Sequence, residues 1–334
     1  MTVLKTTLLL RILFLTAITI TLCLITDARP AAAAAVVGDP FPSGAKLYVD
    51  AAGPAAQQAK AWRSNRPTEA ASMAFLAKRP TARWLGDWTP NPQPAASQLA
   101  SSARQAKAVA AVVAYNIPQR DCGSYSAGGA HSAAAYQQWI SLLAAGLGKG
   151  PAAVILEPDA VAGWDCLSSE GQARRAQMLR QAVATLSQRR IAVYLDGGNA
   201  NWQPASVMAA RLRSSGIAQA RGVAVNVSNF RSTKGSLSYV RALRRYLPGL
   251  HAVIDTSRNG LGPAANNEWC NPAGRALGAS PTVSPKLAPL DALLWIKTPG
   301  ESDGTCNGGP AAGVWWPEQA LGLVKLALNP SLNG

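Results

Sequence analysis

What most constrains this chain is a rhythm that repeats from about residue 45 to 330: a short apolar or β-branched run, a loop rich in Gly, Asn, Asp or Ser, then an alanine-rich segment with helical spacing. Seven runs have strand character: TARWL (81–85), AVAAVVAY (108–115), AAVILE (152–157), IAVYLD (191–196), GVAVNV (222–227), HAVID (251–255) and DALLWIK (291–297). Alternation of strands with helices predicts a parallel sheet, and unbroken apolar character predicts burial on both faces. A doubly wound sheet or a closed barrel follows. KLYVD at 46–50 is a candidate extra strand.

Residues 1–35 follow a different pattern. Lys5 and Arg11 precede the apolar run ILFLTAITITLCLIT (12–26), and five alanines follow at 31–35, the order of a secretory signal peptide. The run is shorter than the roughly 20 residues that span a bilayer, so a cleaved leader is expected, with an uncleaved N-terminal anchor as the alternative. Residues 36–334 contain no Pro/Thr-rich linker and no second composition block, and read as one catalytic-sized domain. Outside the leader stand Cys122, Cys166, Cys270 and Cys306. They lack C-x-x-C spacing and nearby histidines, so in an exported chain they fit two disulfides better than metal ligands, with three pairings open.

The formal charge of +15 raises nucleic acid or an anionic surface as a partner. No basic run with interleaved aromatics supports a nucleic-acid role. A solvated cationic surface is the simpler reading, and adhesion to anionic polymers is the other.

Polar residues follow the strands: Tyr115, Asn116 and Asp121; Glu157 and Asp159; Asp196 and Asn199; Asn226, Ser228 and Asn229; Asp255 and Arg258; Lys297, Glu301 and Asp303. In parallel α/β folds the carboxyl ends of the strands converge on one face, where sites are built. Several carboxylates there, with no Gly-rich phosphate loop and only His131 and His251 in the chain, suit acid/base work on a neutral substrate without metal or cofactor. Ten tryptophans against four phenylalanines add a second signal. Trp84, Trp202, Trp269 and Trp295 lie at strand ends, where an indole offers a flat apolar face with a polar edge to a sugar ring. Trp139, inside AYQQWISLL, reads as core.

The segments YNIPQRDCGSYSAGG (115–129), ILEPDAV (155–161), YLDGGNANW (194–202), NVSNF (226–230), IDTSRNG (254–260), EWCNPAGRALG (268–278) and LWIKTPGESDGTC (294–306) together resemble glycoside hydrolase family 6, the inverting cellulases. The resemblance implies a distorted, seven-stranded parallel (β/α) barrel, TIM-like, and a monomer acting on β-1,4-glucan outside the cell. It also implies the disulfides Cys122–Cys166 and Cys270–Cys306.

By that resemblance Asp159 is the general acid, its pKa raised by burial and by the neighbouring Asp121. Asp121 is also a candidate for a base acting through water. Asp303 resembles the carboxylate once proposed as the base; Arg258 and Lys297 match positions that ion-pair with it and keep it ionised, so proton abstraction and electrostatic support of an oxocarbenium-like transition state are both open. Tyr115 presses on the sugar at the cleavage point. Trp84, Trp202, Asn199, Asn229, Trp269, Lys297 and Glu301 bind substrate. Asn199 departs from the pattern, since family members commonly carry His there. Asp255 and Glu157 fit structural hydrogen-bonding roles as well as chemical ones. The disulfide-closed segments are compact, 43 and 35 residues between the paired cysteines, which implies an open cleft and an endoglucanase. An exo-acting cellobiohydrolase, an enzyme for another β-glucan and a non-catalytic glucan-binding barrel are the competing readings.

Overall fold

A computed structural model describes residues 37–328; the proposed leader therefore lies outside the described residues. The elements are β1 (Lys46–Leu47), α1 (Pro54–Trp62), α2 (Pro67–Ala77), β2 (Arg83–Gly86), α3 (Gln93–Gln105), β3 (Ala108–Tyr115), α4 (Ala133–Leu147), β4 (Ala152–Leu156), α5 (Ser169–Gln188), β5 (Ala192–Asp196), α6 (Ala205–Ser214), β6 (Gly222–Val225), α7 (Thr233–Tyr246), β7 (His251–Asp255), β8 (Thr282–Val283), β9 (Leu290–Leu294) and α8 (Pro317–Leu328). All seven expected strands form. The KLYVD strand is only two residues long, and β8 is an addition that the sequence did not announce; it pairs antiparallel with β9.

Strands β3 to β7 and then β9 pair in parallel, in that order. Parallel pairing requires a crossover; α3 to α7 supply those from β2 through β7, and a loop with β8 makes the one from β7 to β9. Three of these helices start on serine caps: Ser132, Ser168 and Ser232 each accept a backbone N–H three residues on, satisfying a donor that the first turn leaves free. Two short strands share the far edge of β3, with Lys46 opposite Ala108 and Arg83 opposite Val112. The ring almost closes between β2 and β9, where Ala82 N–H donates to Trp295 O at 3.0 Å and the Trp84 indole N–H to Ile296 O at 2.8 Å.

The packing explains the residue choice. Inside the barrel, Ala153, Ala192, Ala224 and Ala292 leave room for Ile155, Leu294 and Tyr194, and Phe41 is buried against Tyr194 with ring centroids 6.2 Å apart. Outside, the alternate strand residues Val112, Val154, Val193 and Val223 meet the apolar faces of the helices. Strand burial on both faces is what the continuous apolar runs require. Every strand of the parallel set therefore ends on one side, and the polar residues that follow are brought to one face.

Candidate active site

Strand β4 ends at Leu156, and the chain turns sharply. Glu157 (φ 51°) and Asp159 (φ 70°) both occupy the left-handed region, a conformation costing an L-residue roughly 1–2 kcal/mol. Hydrogen bonds hold it. Glu157 is fully buried and accepts the N–H groups of Asn116 (2.9 and 3.0 Å) and Ile117 (3.0 Å). Asp159 N–H donates to Asp196 Oδ2 at 3.0 Å, and the same oxygen takes Gly198 N–H at 3.0 Å. Asp196 thus joins the loops after β4 and β5 and fixes the backbone that carries Asp159. Its other oxygen, Oδ1, is buried and has no partner.

Desolvation pushes the Asp159 carboxyl well above the usual carboxylate range; Asp196, Asp121 and Asp303 push it further, while Lys297 opposes. Burial likewise raises Asp196, against the two N–H groups it accepts. Glu157 rises to about 7 for the same first cause.

Asp121 follows Arg120, whose buried guanidinium organises the loop. It donates to Tyr115 O (2.7 Å), Ser126 O (2.7 Å), Ala127 O (3.2 Å) and Asp87 Oδ1 (2.9 Å). Gly129 sits at φ 98°, and a Cβ there would lie 1.9 Å from Ile117 O, so the loop closes only with glycine at this position. Asp121 Oδ2 accepts Ser126 N–H at 2.8 Å; burial raises its pKa, opposed by that N–H and by Arg120. Tyr115 is buried beneath the Arg120 plane, 4.5 Å from ring centre to guanidinium carbon. Burial first, then the charges of Asp159 and Asp121, drive its hydroxyl pKa well up.

Asp303 has different neighbours. Arg258, 1% exposed, grips it with two bonds of 2.9 and 3.0 Å, and Lys297 Nζ stands 3.8 Å away. Asn271 completes the cradle, donating its N–H to Oδ2 (3.0 Å) while its side-chain oxygen accepts Asp303 N–H (2.9 Å). Asp255 supports this half structurally, accepting the N–H groups of Ser228, Ser257, Ile296 and Lys297 at 2.9–3.2 Å. Desolvation lowers the Lys297 pKa, while Asp303 and Glu301 oppose. Burial raises that of Glu301, with Lys297 opposing.

A cleft of about 720 Å³ opens beside these groups, lined by Trp84, Trp88, Tyr115, Arg120, Lys297 and Glu301 among others. Asp121, Asp159 and Asp303 do not line it; Tyr115, in the field of the first two, connects it to them. Trp84 meets Tyr115 edge to face at 5.3 Å. Trp202 is 42% exposed and Trp269 47%, so neither is a core residue. Trp295 is: it is 2% exposed, packed among Leu277, Leu323 and Val324, which corrects its reading as a sugar-facing indole. Asn199 is buried in a turn, accepting Asn201 N–H at 3.0 Å. Asn229 accepts Phe230 N–H at 2.9 Å. Two disulfides, Cys122–Cys166 and Cys270–Cys306, pair as the resemblance implies and brace the loops carrying Asp121 and Asp303. Among the described residues no group of three or more His, Cys, Asp or Glu is arranged to hold a metal ion.

Sequence reasoning did not assign roles to Asp196, Arg120 or Tyr125. Asp196 ends the YLD strand, which was the available signal. Tyr125 lies 6.1 Å from Trp269 between ring centres and packs on Gly304, where a Cβ would lie 2.5 Å from its ring. Nothing in the spacing from 125 to 269 or 304 announces that contact.

The family described as Glycosyl hydrolases family 6 matches residues 42–327. The chain belongs to this family. Among its relatives, Endoglucanase A of Cellulomonas fimi is 43% identical over 284 residues, spanning 84% of this chain but only 61% of that protein. Endoglucanase 1 of Streptomyces halstedii is 39% identical over 316 residues, 91% and 96% of the two chains. Family relatives named as cellobiohydrolases or an exoglucanase are more distant, at 27–29% identity. A solved structure of the endoglucanase Cel6 from Mycobacterium tuberculosis, complexed with a thio-linked cellobioside, superposes with a TM-score of 0.82 at 42% identity, covering 88% of this chain and all of that one. The nearly closed parallel barrel is thus the family fold, with two short strands beyond the seven expected.

Proposed function

We propose that this chain is an endo-acting β-1,4-glucanase that hydrolyses with inversion, Asp159 serving as general acid. The observation that carries the reading is the Asp159–Asp196 arrangement: a carboxyl with its backbone tied to a second buried carboxylate, held protonated by desolvation and by negative neighbours. A protonated carboxyl at neutral pH is what a departing glycosidic oxygen needs.

Hydrolysis then proceeds through the residues at hand. The glucan lies along the cleft, its sugars against Trp84, Trp202 and Trp269, with Lys297 and Glu301 hydrogen-bonding hydroxyls. Tyr115 presses on the ring at the scissile bond. Asp159 gives its proton to the leaving oxygen while water enters from the opposite side of the ring, and Asp121 takes the water's proton through a second water. The Arg258–Asp303 pair places a fixed negative group near the developing oxocarbenium charge. Asn199 and Asn229 hold loop backbone by the hydrogen bonds described above and contribute polar edges beside the sugar path. Endo action is supported by the compact disulfide-closed segments, with sequence separations of 44 and 36. The two disulfides also support export; among the described residues no helix is long and apolar enough to cross a membrane.

The test compares wild type with Asp159→Ala on a soluble β-1,4-glucan, following viscosity and reducing ends together. A steep viscosity fall for few new ends, lost in the variant, is expected. Ends released without loss of viscosity would indicate exo action instead, and inactivity of the wild type on every β-glucan would favour a binding protein.

A further inference from the structure

The charge of this protein is sorted along the barrel axis. Carboxylates gather where strands end and helices begin, around the cleft. At the opposite, basal end lie the turns that lead from each helix into the next strand, and these are cationic. The turns into β3, β4, β5 and β7 carry, among others, Lys107, Lys149, Arg189, Arg190, Arg244 and Arg245, all exposed. The described carboxylates at this end are Asp39 and Asp291, and Asp291 is buried and bound by Arg221 at 2.8 and 2.9 Å.

A helix C-terminus favours a cation in its last turn, and that accounts for Arg244 and Arg245. It does not account for Lys107, Arg190 and Lys286. These stand outside the helices at φ 50°, 60° and 57°, where glycine would sit without strain. Three basal turns therefore carry a positive charge at a conformational cost.

We propose that the basal face docks on an anionic lipid surface, holding the protein with its cleft turned away from the membrane. Three observations favour this partner over a linear polyanion. The cations are spread around the whole ring of turns instead of lining a groove. Tyr246 is the one exposed aromatic among the turn residues named here and their neighbours, so no stacking platform for bases accompanies them. The described chain also begins at this end: Phe41 packs on Tyr194 inside the basal mouth of the barrel, and Tyr194 bonds Asp291 at 2.7 Å. Where the apolar run at 12–26 is retained, the alternative to leader cleavage, it is joined in sequence to this end of the described chain. Basic clusters beside a membrane-seeking segment add to its hold on anionic headgroups and lose strength with salt.

The experiment is co-sedimentation of the full chain with vesicles of neutral phosphatidylcholine and with vesicles containing 30% phosphatidylglycerol (about one lipid in three, enough for a negative surface potential). The variant is Arg189→Gln/Arg190→Gln/Arg244→Gln/Arg245→Gln, whose side chains lie outside the cleft. Wild type is expected to favour the anionic vesicles, to lose that preference in high salt, and to lose at least roughly tenfold of it in the variant, while activity on soluble glucan is unchanged. Equal partition onto both vesicle types would overturn the proposal, since apolar insertion alone does not distinguish them. So would undiminished anionic preference in the variant. Retention on polygalacturonate or duplex DNA at salt that releases the vesicles would also overturn it, assigning the face to a polymer.

Discussion

Two carboxylates at the same face of the barrel, half-buried Asp159 and buried Asp303, have opposite surroundings. Asp159 has no bonded cation; its nearest polar commitments are a backbone bond to Asp196 and the fields of Asp196, Asp121 and Asp303. Asp303 is gripped by Arg258 through two bonds, with Lys297 at 3.8 Å. Position at a strand end brings a carboxylate to the site, and the neighbours supplied by other loops decide what it can do there. The surroundings of one half favour a protonated carboxyl; the other half is an ion pair. In the proposed mechanism an acid and an electrostatic stabiliser therefore act at one face of the barrel without exchanging roles.

That contrast can be broken from either side. Removing the cation should have the largest effect: Arg258→Ala leaves Asp303 buried without its partner, and we expect a loss of roughly 3–5 kcal/mol of stability, read by urea denaturation, together with loss of activity. Replacing the acid should separate chemistry from folding. Asp159→Ala is expected to lower kcat roughly 10²–10⁴-fold, with a midpoint of unfolding no lower than wild type, because a desolvated carboxyl beside other carboxylates is removed.

The Asp159 half can also be sharpened. Asp196→Asn keeps an oxygen for the N–H groups of Asp159 and Gly198 but removes a negative neighbour, so the alkaline limb of the pH–rate profile should move to lower pH. An unchanged limb would mean that Asp196 does not hold the proton on Asp159. Glu157 tests the same physics away from the chemistry. Its folded pKa, about 7, lies above its ordinary 4.5, so the folded state binds the extra proton between those values. The contribution of Glu157 to stability should be fully present below about pH 4.5 and be lost as pH rises through 7. Glu157→Gln should flatten that decline in denaturant titrations across the interval. The smallest effect is expected at Trp269, 47% exposed. Trp269→Ala should cost binding about 0.5–1.5 kcal/mol, seen as a higher KM at unchanged kcat and stability.

Much of this was legible in the sequence because it depends on local rules. Strands β3 to β7 and β9 read directly as apolar runs, since burial on both faces leaves no alternation to confuse them, and β2 reads from TARWL despite its exposed Arg83. The convergence of Tyr115, Asp121, Asp159, Arg258, Lys297 and Asp303 followed from parallel topology alone. What could not be read depends on contacts between distant loops. Asp196 looks like any strand-end aspartate until its oxygen meets the N–H of residue 159. Trp295 looks like a sugar platform until helix α8 covers it. The shortness of β1 and the presence of β8 reflect how the barrel edge closes, and that is decided by β3 and β9, not by the short strands themselves.

The most direct test of the central claim, that Asp159 supplies the proton for the leaving group, compares two substrates with wild type and Asp159→Ala. One is a soluble β-1,4-glucan; the other is a cellobioside with a dinitrophenolate leaving group, which departs without protonation. The account predicts near-complete loss on the glucan, substantial activity retained on the activated substrate, and no alkaline limb in what remains. Equal loss on both substrates would contradict it.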